Sequence, residues 1–221
     1  MANLFRGFEY NVRLNFNKII DTLRHLREYI FPVKKLTDKF KTIATISHLE
    51  SFIEERSAHV TQTTLYGYIK TRMGFKHTLM FEDKAFLESM DIAKWNIYVI
   101  ALADCTFYTF SYLINKKNLK ENTSKETFLR ILDKQRYNGL SSKIYNQGKL
   151  EFETRFRDVN WTNYHQNDPF KTSGLALYKW SPIAEDLKIL DKEIVLNSIK
   201  FKWNHVKTDF ENLTNNSNFN S

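Results

Sequence analysis

The residue with the clearest chemical potential is Asp104, the single charged side chain in the apolar stretch 97–114. An unpaired carboxylate inside an apolar core is costly, so a buried Asp104 needs a cationic partner. Two roles stay open for it: a paired carboxylate of the core, or an acid tuned for catalysis or ligand binding. The basic residues considered as its partner are Arg56, Lys70, Arg72, Lys94 and Lys200.

Three other side chains have a spacing that would suit a metal ion on a helix. His48, Glu55 and His59 are seven and four residues apart, which places them in one narrow strip of a helix. The metalloprotease pattern H-E-x-x-H and the Glu-x-x-His pattern of di-iron bundles are both missing from the sequence. A simple polar pair between neighbouring turns is favoured, and the sequence predicts no metal site.

The loops and elbows that mark nucleotide-binding proteins and serine hydrolases are also missing. Neither of the two glycine-rich phosphate loops occurs, and the chain has only 6 glycines. The G-x-S-x-G elbow is absent as well. We therefore predict no cofactor, and Ser47, Ser57 and Ser89 are nucleophile candidates only because histidines lie near them in sequence.

The densest mixture of aromatic and basic side chains lies in residues 65–74. Tyrosines beside Lys and Arg can stack on bases or hold a phosphate or carboxylate, and Gly67 would let a ligand or a backbone come close. The structural alternative is a tight helix crossing at Gly67, with the basic side chains reaching out to solvent. The side chains concerned are Tyr66, Tyr68, Lys70 and Arg72.

Two further runs, 91–98 and 193–203, also place lysines beside aromatic rings, an arrangement that suits cation–π contacts and polar networks between helices. With the first run and Asp83 they give ten candidate binding residues. These are Tyr66, Tyr68, Lys70, Arg72, Asp83, Asp91, Lys94, Trp95, Asn197 and Lys200. An open pocket formed by such side chains would favour an enzyme, whereas a closed network would favour a scaffold.

The segments LYGYIKTRMG, FEDKAF, DIAKWNIY, KWSPIAEDL and EIVLNSIKFKW carry a resemblance. Over residues 47–210 the chain resembles a family of small alphaproteobacterial proteins that are sometimes labelled esterase. The resemblance implies a bacterial cytoplasmic protein and, by that label, a hydrolase acting on an ester. Asp104, His59 and a helical serine would then be the catalytic candidates. No active-site motif of the family can be carried over onto these residues.

Length and composition favour one helical domain. The 221 residues are 42% hydrophobic and 15% aromatic, which is enough for a packed core. With 6 glycines and 3 prolines there is little material for a turn-rich β fold. The single cysteine, Cys105, excludes an internal disulfide and fits a reducing cytoplasm. We predict an all-α, single-domain helical bundle of about five to seven helices with long central helices.

Capping signals predict where these helices begin and end. Capping boxes at Ser47 to Glu50 and Thr123 to Glu126 would each start a helix, and Asp83 or its neighbour would start the one between them. Gly74 and the pair at 138–139 predict helix ends. From 141 to 173 the apolar pattern weakens, and 160–169 is predicted to be a loop. Ser181-Pro182 predicts the start of the last helix.

The last helix carries two apolar stripes, which predicts either a central position or one face offered to a partner. The partner can be a second copy of the chain, which would give a homo-oligomer through the C-terminal helix. The first stripe is Ile183, Leu187, Leu190, Ile194 and Phe201. The second is Val195, Ile199, Val206, Phe210 and Leu213.

Stretch 97–114 is also long enough to approach a membrane span. Asp104 at its centre would cost roughly 2.5 to 3.5 kcal/mol on insertion. A buried core helix is therefore expected and no transmembrane span.

The net charge of +8, with a pI near 9.4, is unevenly distributed along the chain. Residues 1–41 hold nine Lys and Arg against four acids. We predict a basic amphipathic segment over 1–41, a helical core domain over 42–213 and a disordered tail over 214–221. Basic charge of this kind attracts anionic partners without choosing among them.

The favoured hypothesis is a non-enzymatic adaptor or assembly factor that binds an acidic protein or an anionic membrane surface through its basic segment 1–41. Such a protein would be cytoplasmic, with peripheral contact at the inner membrane in the second case. The alternatives are the esterase-like hydrolase and an RNA-binding protein, the latter from the pI and the run at 65–74.

Overall fold

The computed structural model of the protein describes residues 42–74, 81–117 and 119–215. Within these ranges the chain forms six α-helices and no β-strand, which confirms the predicted all-α helical bundle. The predicted basic segment 1–41 lies outside the described residues. The helices are α1 (Ile46–Met73), α2 (Lys84–Lys117), α3 (Glu121–Arg136), α4 (Ser142–Asp158), α5 (Lys171–Trp180) and α6 (Glu185–Asn215).

Helix α2 forms the centre of the bundle. Of residues 93–113, all but Ile100 are buried, and α1, α3, α4 and α5 all pack against this helix. In the described part of the chain, α2 alone is long and apolar enough to cross a membrane, and 89% of its apolar window is buried inside the protein. Core helices of soluble proteins have the same length and composition, so this criterion is weak evidence for a span.

Aromatic rings connect the helices on either side of α2. Phe107 of α2 stacks on Phe152 of α4 at 4.6 Å between ring centroids, and Phe152 stacks on Phe128 of α3 at 3.9 Å. On the opposite side, Phe210 of α6 lies 5.3 Å from Phe52 of α1 and 5.7 Å from Tyr108. Such ring pairs add to the free energy of burial, and they fix the positions of five helices.

Several predicted helix ends are confirmed. Gly74 has φ 53° and its N–H donates to Lys70 O at the end of α1. Asp83 accepts hydrogen bonds from the backbone N–H groups of Ala85 (2.8 Å) and Phe86, so it caps α2. Gly139, at φ 102°, follows the end of α3. Glycine is favoured at positive φ because it has no Cβ.

The predicted capping boxes at Ser47 and Thr123 are wrong. Thr45 caps α1 through its bond from His48 N (3.2 Å), which leaves Ser47 inside the first turn. Helix α3 begins at Glu121, two residues ahead of Thr123. At α1 two hydroxyl residues, Thr45 and Ser47, lie close together, whereas α3 follows Lys120, which makes no side-chain capping bond.

The predicted start of α6 at Ser181-Pro182 is also early, since the helix begins at Glu185. The Ser181 hydroxyl instead donates to Leu177 O (2.6 Å) and so satisfies the end of α5. At its other end α6 continues through Thr214 and Asn215, which the sequence assigns to the tail. Residues 216–221 lie outside the described ranges.

Candidate functional site

A cleft of about 450 Å³ opens between the beginning of α5 and the middle of α6. Four polar residues of α6 follow one another at spacings of three, four and three residues, so they share one face of the helix. They are Asn197, Lys200, Asn204 and Lys207. Gln166 and residues 168–171 form the opposite wall, and Leu175 and Leu196 add apolar surface.

Three lysines give the cleft its charge: Lys171 at the first turn of α5, and Lys200 and Lys207 on α6. Within the described residues none of the three forms a salt bridge, and Lys207 lies 6.0 Å from the ring of Tyr108. Asp168 is the one acidic residue of the lining. The cleft is therefore positively charged and its cations are available to a ligand.

The floor of the cleft is rigidly built. Phe170 and Trp203 stack face to face at 4.1 Å, and both are almost completely buried. Trp203 Nε1 donates to Ser173 Oγ (3.0 Å), whose hydroxyl donates in turn to Phe170 O (2.9 Å). A Cβ at Gly174 would lie 3.3 Å from Leu196, so glycine lets α5 approach α6 closely.

Asp104 lies behind this floor, fully buried. Its Oδ1 binds the guanidinium of Arg155, and its Oδ2 accepts from the backbone N–H of Ser173 (2.7 Å) in the first turn of α5. A carboxylate at a helix N-terminus is favoured by the helix dipole. The five partners considered from sequence are thus wrong: the cation is Arg155, 51 residues away on α4.

Burial raises the pKa of the Asp104 carboxyl above its ordinary value, while Arg155 and the Ser173 N–H oppose that rise. Arg155 also donates to the Tyr164 hydroxyl (3.0 Å), which donates to Pro169 O (2.9 Å). Both carboxylate oxygens of Asp104 are occupied and shielded from solvent. This arrangement gives Asp104 a structural role, since it joins α2, α4 and α5.

The run at 65–74 does not open onto the cleft. Arg72 and the Tyr68 hydroxyl both bind the buried carboxylate of Asp191, the latter at 2.8 Å, so they tie α1 to α6. Tyr66 packs against the Phe81 ring, and Lys70 is exposed. A Cβ at Gly67 would meet nothing within 4 Å, so the structural alternative of a tight helix crossing at Gly67 is wrong.

The candidates on α2 satisfy one another or their own helix. Asp91 pairs with Lys94 at 2.7 Å one turn away, and the Lys94 ammonium lies 4.7 Å from the Trp95 ring. Asp83 caps α2, as described above. Arg72, Asp83, Asp91, Lys94 and Asp104 therefore converge on neither one pocket nor one network. Of the ten candidate binding residues, Asn197 and Lys200 line the cleft.

Neither His59 nor His165 forms a serine–histidine arrangement suited to ester hydrolysis within the part of the chain that the structure describes. His59 is half-buried. Its pKa is lowered mainly by desolvation and further by the positive charges of Arg56 and Lys202. Ser111 lies 2.9 Å from His165 Nδ1, but its hydroxyl donates to Trp161 O (2.8 Å) and it is fully buried. The described residues also contain no group of three His, Cys, Asp or Glu side chains that could hold a metal ion.

Sequence reasoning missed two of the three cleft lysines, Lys171 and Lys207. Lys171 begins α5, a ten-residue helix that the apolar pattern did not indicate. The spacing of Asn197, Lys200, Asn204 and Lys207 is visible in the sequence. A search for a polar face along the last helix would have identified Lys207 together with Asn204.

Comparison of the chain with family models, with curated proteins and with solved structures finds no match.

Proposed function

We propose that this protein is a non-enzymatic helical adaptor that binds an acidic protein segment in the cleft between α5 and α6. One observation carries the proposal. Lys171, Lys200 and Lys207 surround a cleft of about 450 Å³, and no salt bridge within the described residues neutralises them. Carboxylates of a partner would form charge-assisted hydrogen bonds with these ammonium groups, and the amides of Asn197 and Asn204 would add neutral ones.

The character of the aromatic rings favours a protein partner over RNA. Proteins that bind single-stranded RNA expose aromatic faces on which bases stack. In this cleft Phe170 and Trp203 stack on each other and are buried. In the other candidate run, Arg72 and Tyr68 are already engaged by Asp191. The RNA alternative therefore has no stacking platform at either place.

The distribution of charge favours a protein partner over an anionic membrane. Helix α6 exposes the apolar side chains of Leu190 and Ile194, which could enter a lipid interface. However, Asp186 and Glu193 lie beside them and would be repelled by anionic headgroups. The lysines, for their part, line a concave surface. An extended acidic segment can enter such a cleft, and a flat bilayer surface cannot follow it.

The proposal is tested by fluorescence anisotropy with a labelled synthetic peptide of alternating Glu and Leu, titrated with the full chain. We expect saturable binding that weakens about threefold in Lys171→Gln and tenfold or more in the variant with all three cleft lysines changed to Gln. The matched control changes Lys84, Lys120 and Lys143 to Gln. These exposed lysines lie outside the cleft, and the control has the same net charge.

Three parallel titrations separate the other functions. Phosphatidylglycerol vesicles, a single-stranded RNA and a panel of short acyl esters replace the peptide. Equal losses in the cleft variant and its control would reduce the binding to general charge attraction and overturn the proposal. Cleft-dependent binding of vesicles or RNA alone would replace it with the membrane or RNA function. Ester hydrolysis that is lost in Asp104→Asn, while the variant keeps the circular dichroism spectrum of the parent, would replace it with the hydrolase.

A further inference from the structure

Helix α6 has a stripe of exposed apolar side chains on the face opposite to the core. Leu187, Leu190, Ile194 and Phe201 are 40%, 74%, 70% and 60% exposed. Their spacings of three, four and seven residues keep them on one face of the helix. The face that packs into the bundle is formed by other residues, which include Val195, Ile199, Trp203, Val206 and Phe210. The stripe is about 21 Å long, from a rise of 1.5 Å per residue.

One edge of this stripe carries a charge every seventh residue, in the order acid, acid, base, base. The four residues are Asp186, Glu193, Lys200 and Lys207. Within the described residues none of them forms a salt bridge, so the edge is not neutralised inside the monomer. The acidic half of the edge lies toward the N-terminus of α6 and the basic half toward its C-terminus.

From this pattern we infer that two copies of the chain associate through α6, antiparallel and about a two-fold axis, with the apolar stripes in contact. In that arrangement Glu193 faces Lys200 of the second copy, and Asp186 faces Lys207 of the second copy. The same register brings Leu190 of each copy against Phe201 of the other. A parallel pair would instead place the acidic halves side by side and the basic halves side by side.

A two-fold axis makes every contact occur twice, which is the common form of homodimer interfaces. The apolar stripe is short, and Asn197 interrupts it between Ile194 and Phe201. The resulting interface belongs to the small, transient class, so the monomer and dimer exchange with protein concentration. Lys200 and Lys207 also line the cleft, so a second copy and an acidic segment compete for these two lysines.

Sedimentation velocity over a range of concentrations tests the inference with the full chain. The variant Leu190→Ser/Ile194→Ser is expected to be monomeric, whereas Leu150→Ser, at an equally exposed leucine of α4, associates like the parent. Glu193→Lys and Lys200→Glu each create two repulsive contacts and weaken association by about tenfold. Together, Glu193→Lys/Lys200→Glu restores it, because the two charges exchange places across the axis.

A parent chain that stays monomeric at about 1 mM would overturn the inference. Association that survives in Leu190→Ser/Ile194→Ser would also overturn it. The same holds if Glu193→Lys/Lys200→Glu associates more weakly than each single charge variant. Lys200 and Lys207 enter both tests, but the two proposals are separable, because Lys171 lies outside this interface and enters only the peptide titration. Leu190 and Ile194 enter only the association test, so either proposal can fail alone.

Discussion

The carboxylate of Asp104 is stable in the core because its surroundings replace the hydrogen bonds of water. Arg155 supplies a counter-charge, Ser173 supplies a backbone N–H, and the first turn of α5 supplies its dipole. Arg155 itself is anchored by Tyr164. One buried ion pair thus connects α2, α4 and α5 and determines how the floor of the cleft is placed.

Removal of that carboxylate leaves Arg155 with an uncompensated, largely buried charge. We expect Asp104→Ala to lower the free energy of unfolding by about 3 to 5 kcal/mol, and Asp104→Asn by less, because the amide keeps an acceptor oxygen. Urea denaturation followed by circular dichroism measures both. Lys134→Ala, which removes a largely exposed partner of Glu54, is the control and should change stability by less than about 1 kcal/mol. If Asp104→Ala lowered the free energy of unfolding by as little as this control, the structural role of the pair of Asp104 and Arg155 would be contradicted.

The half-buried imidazole of His59 makes stability depend on pH. Its pKa is lowered by desolvation and by Arg56 and Lys202, so the unfolded chain takes up a proton before the folded one as the pH falls. The free energy of unfolding should therefore fall as the pH drops below about 6.5. In His59→Gln that decrease should be smaller. The exposed His48 provides the control His48→Gln, which should retain the full decrease; equal slopes in both variants would contradict the prediction.

Contacts between helices explain why glycine is required at one helical position and not at another. A Cβ at Gly148 of α4 would overlap Val99 Cγ1 of α2, whereas a Cβ at Gly67 of α1 would meet nothing within 4 Å. We expect Gly148→Ala to lower the free energy of unfolding by about 1 to 3 kcal/mol through overpacking. Gly67→Ala should raise it by about 0.5 to 1 kcal/mol through its better helix propensity. Thermal unfolding compares the two, and a stabilising Gly148→Ala would show that α4 can move away from α2.

Helices with a clear apolar face were predictable from the sequence, including the 16-residue α3, whereas α4 and α5 were not. In α4 only Gly148 and Phe152 of 17 residues are buried, so its apolar signal is weak even though Ser141 caps it. That omission also hid Arg155 as the partner of Asp104. The cleft was predicted in part: Asn197 and Lys200 lie in the run 193–203 of the recognisable α6, whereas Lys171 begins the unrecognised α5. Lys207 also lies on α6 but beyond that run, so it was missed.

The described helices share one core rather than two. Helix α2 runs through its centre, and rings of α1, α2 and α6 meet at Phe210. An ion pair also connects α1 to α6, between Arg72 and the buried carboxylate of Asp191. No described helix can separate without exposing residues of another, so we expect the bundle to unfold as a single cooperative unit.

Cooperative unfolding of the whole bundle can be tested with its own tryptophans, because buried rings lie in separate elements. Trp95 belongs to α2, Trp161 to the segment after α4 and Trp203 to α6. We expect urea transitions of tryptophan fluorescence and of far-ultraviolet circular dichroism to coincide, as two-state unfolding requires. Variants that retain only Trp161 or only Trp203 should give midpoints equal to those from circular dichroism of the same variants. A fluorescence transition of Trp203 that precedes the loss of helix would mean that α6 detaches first, and would divide the core into two units.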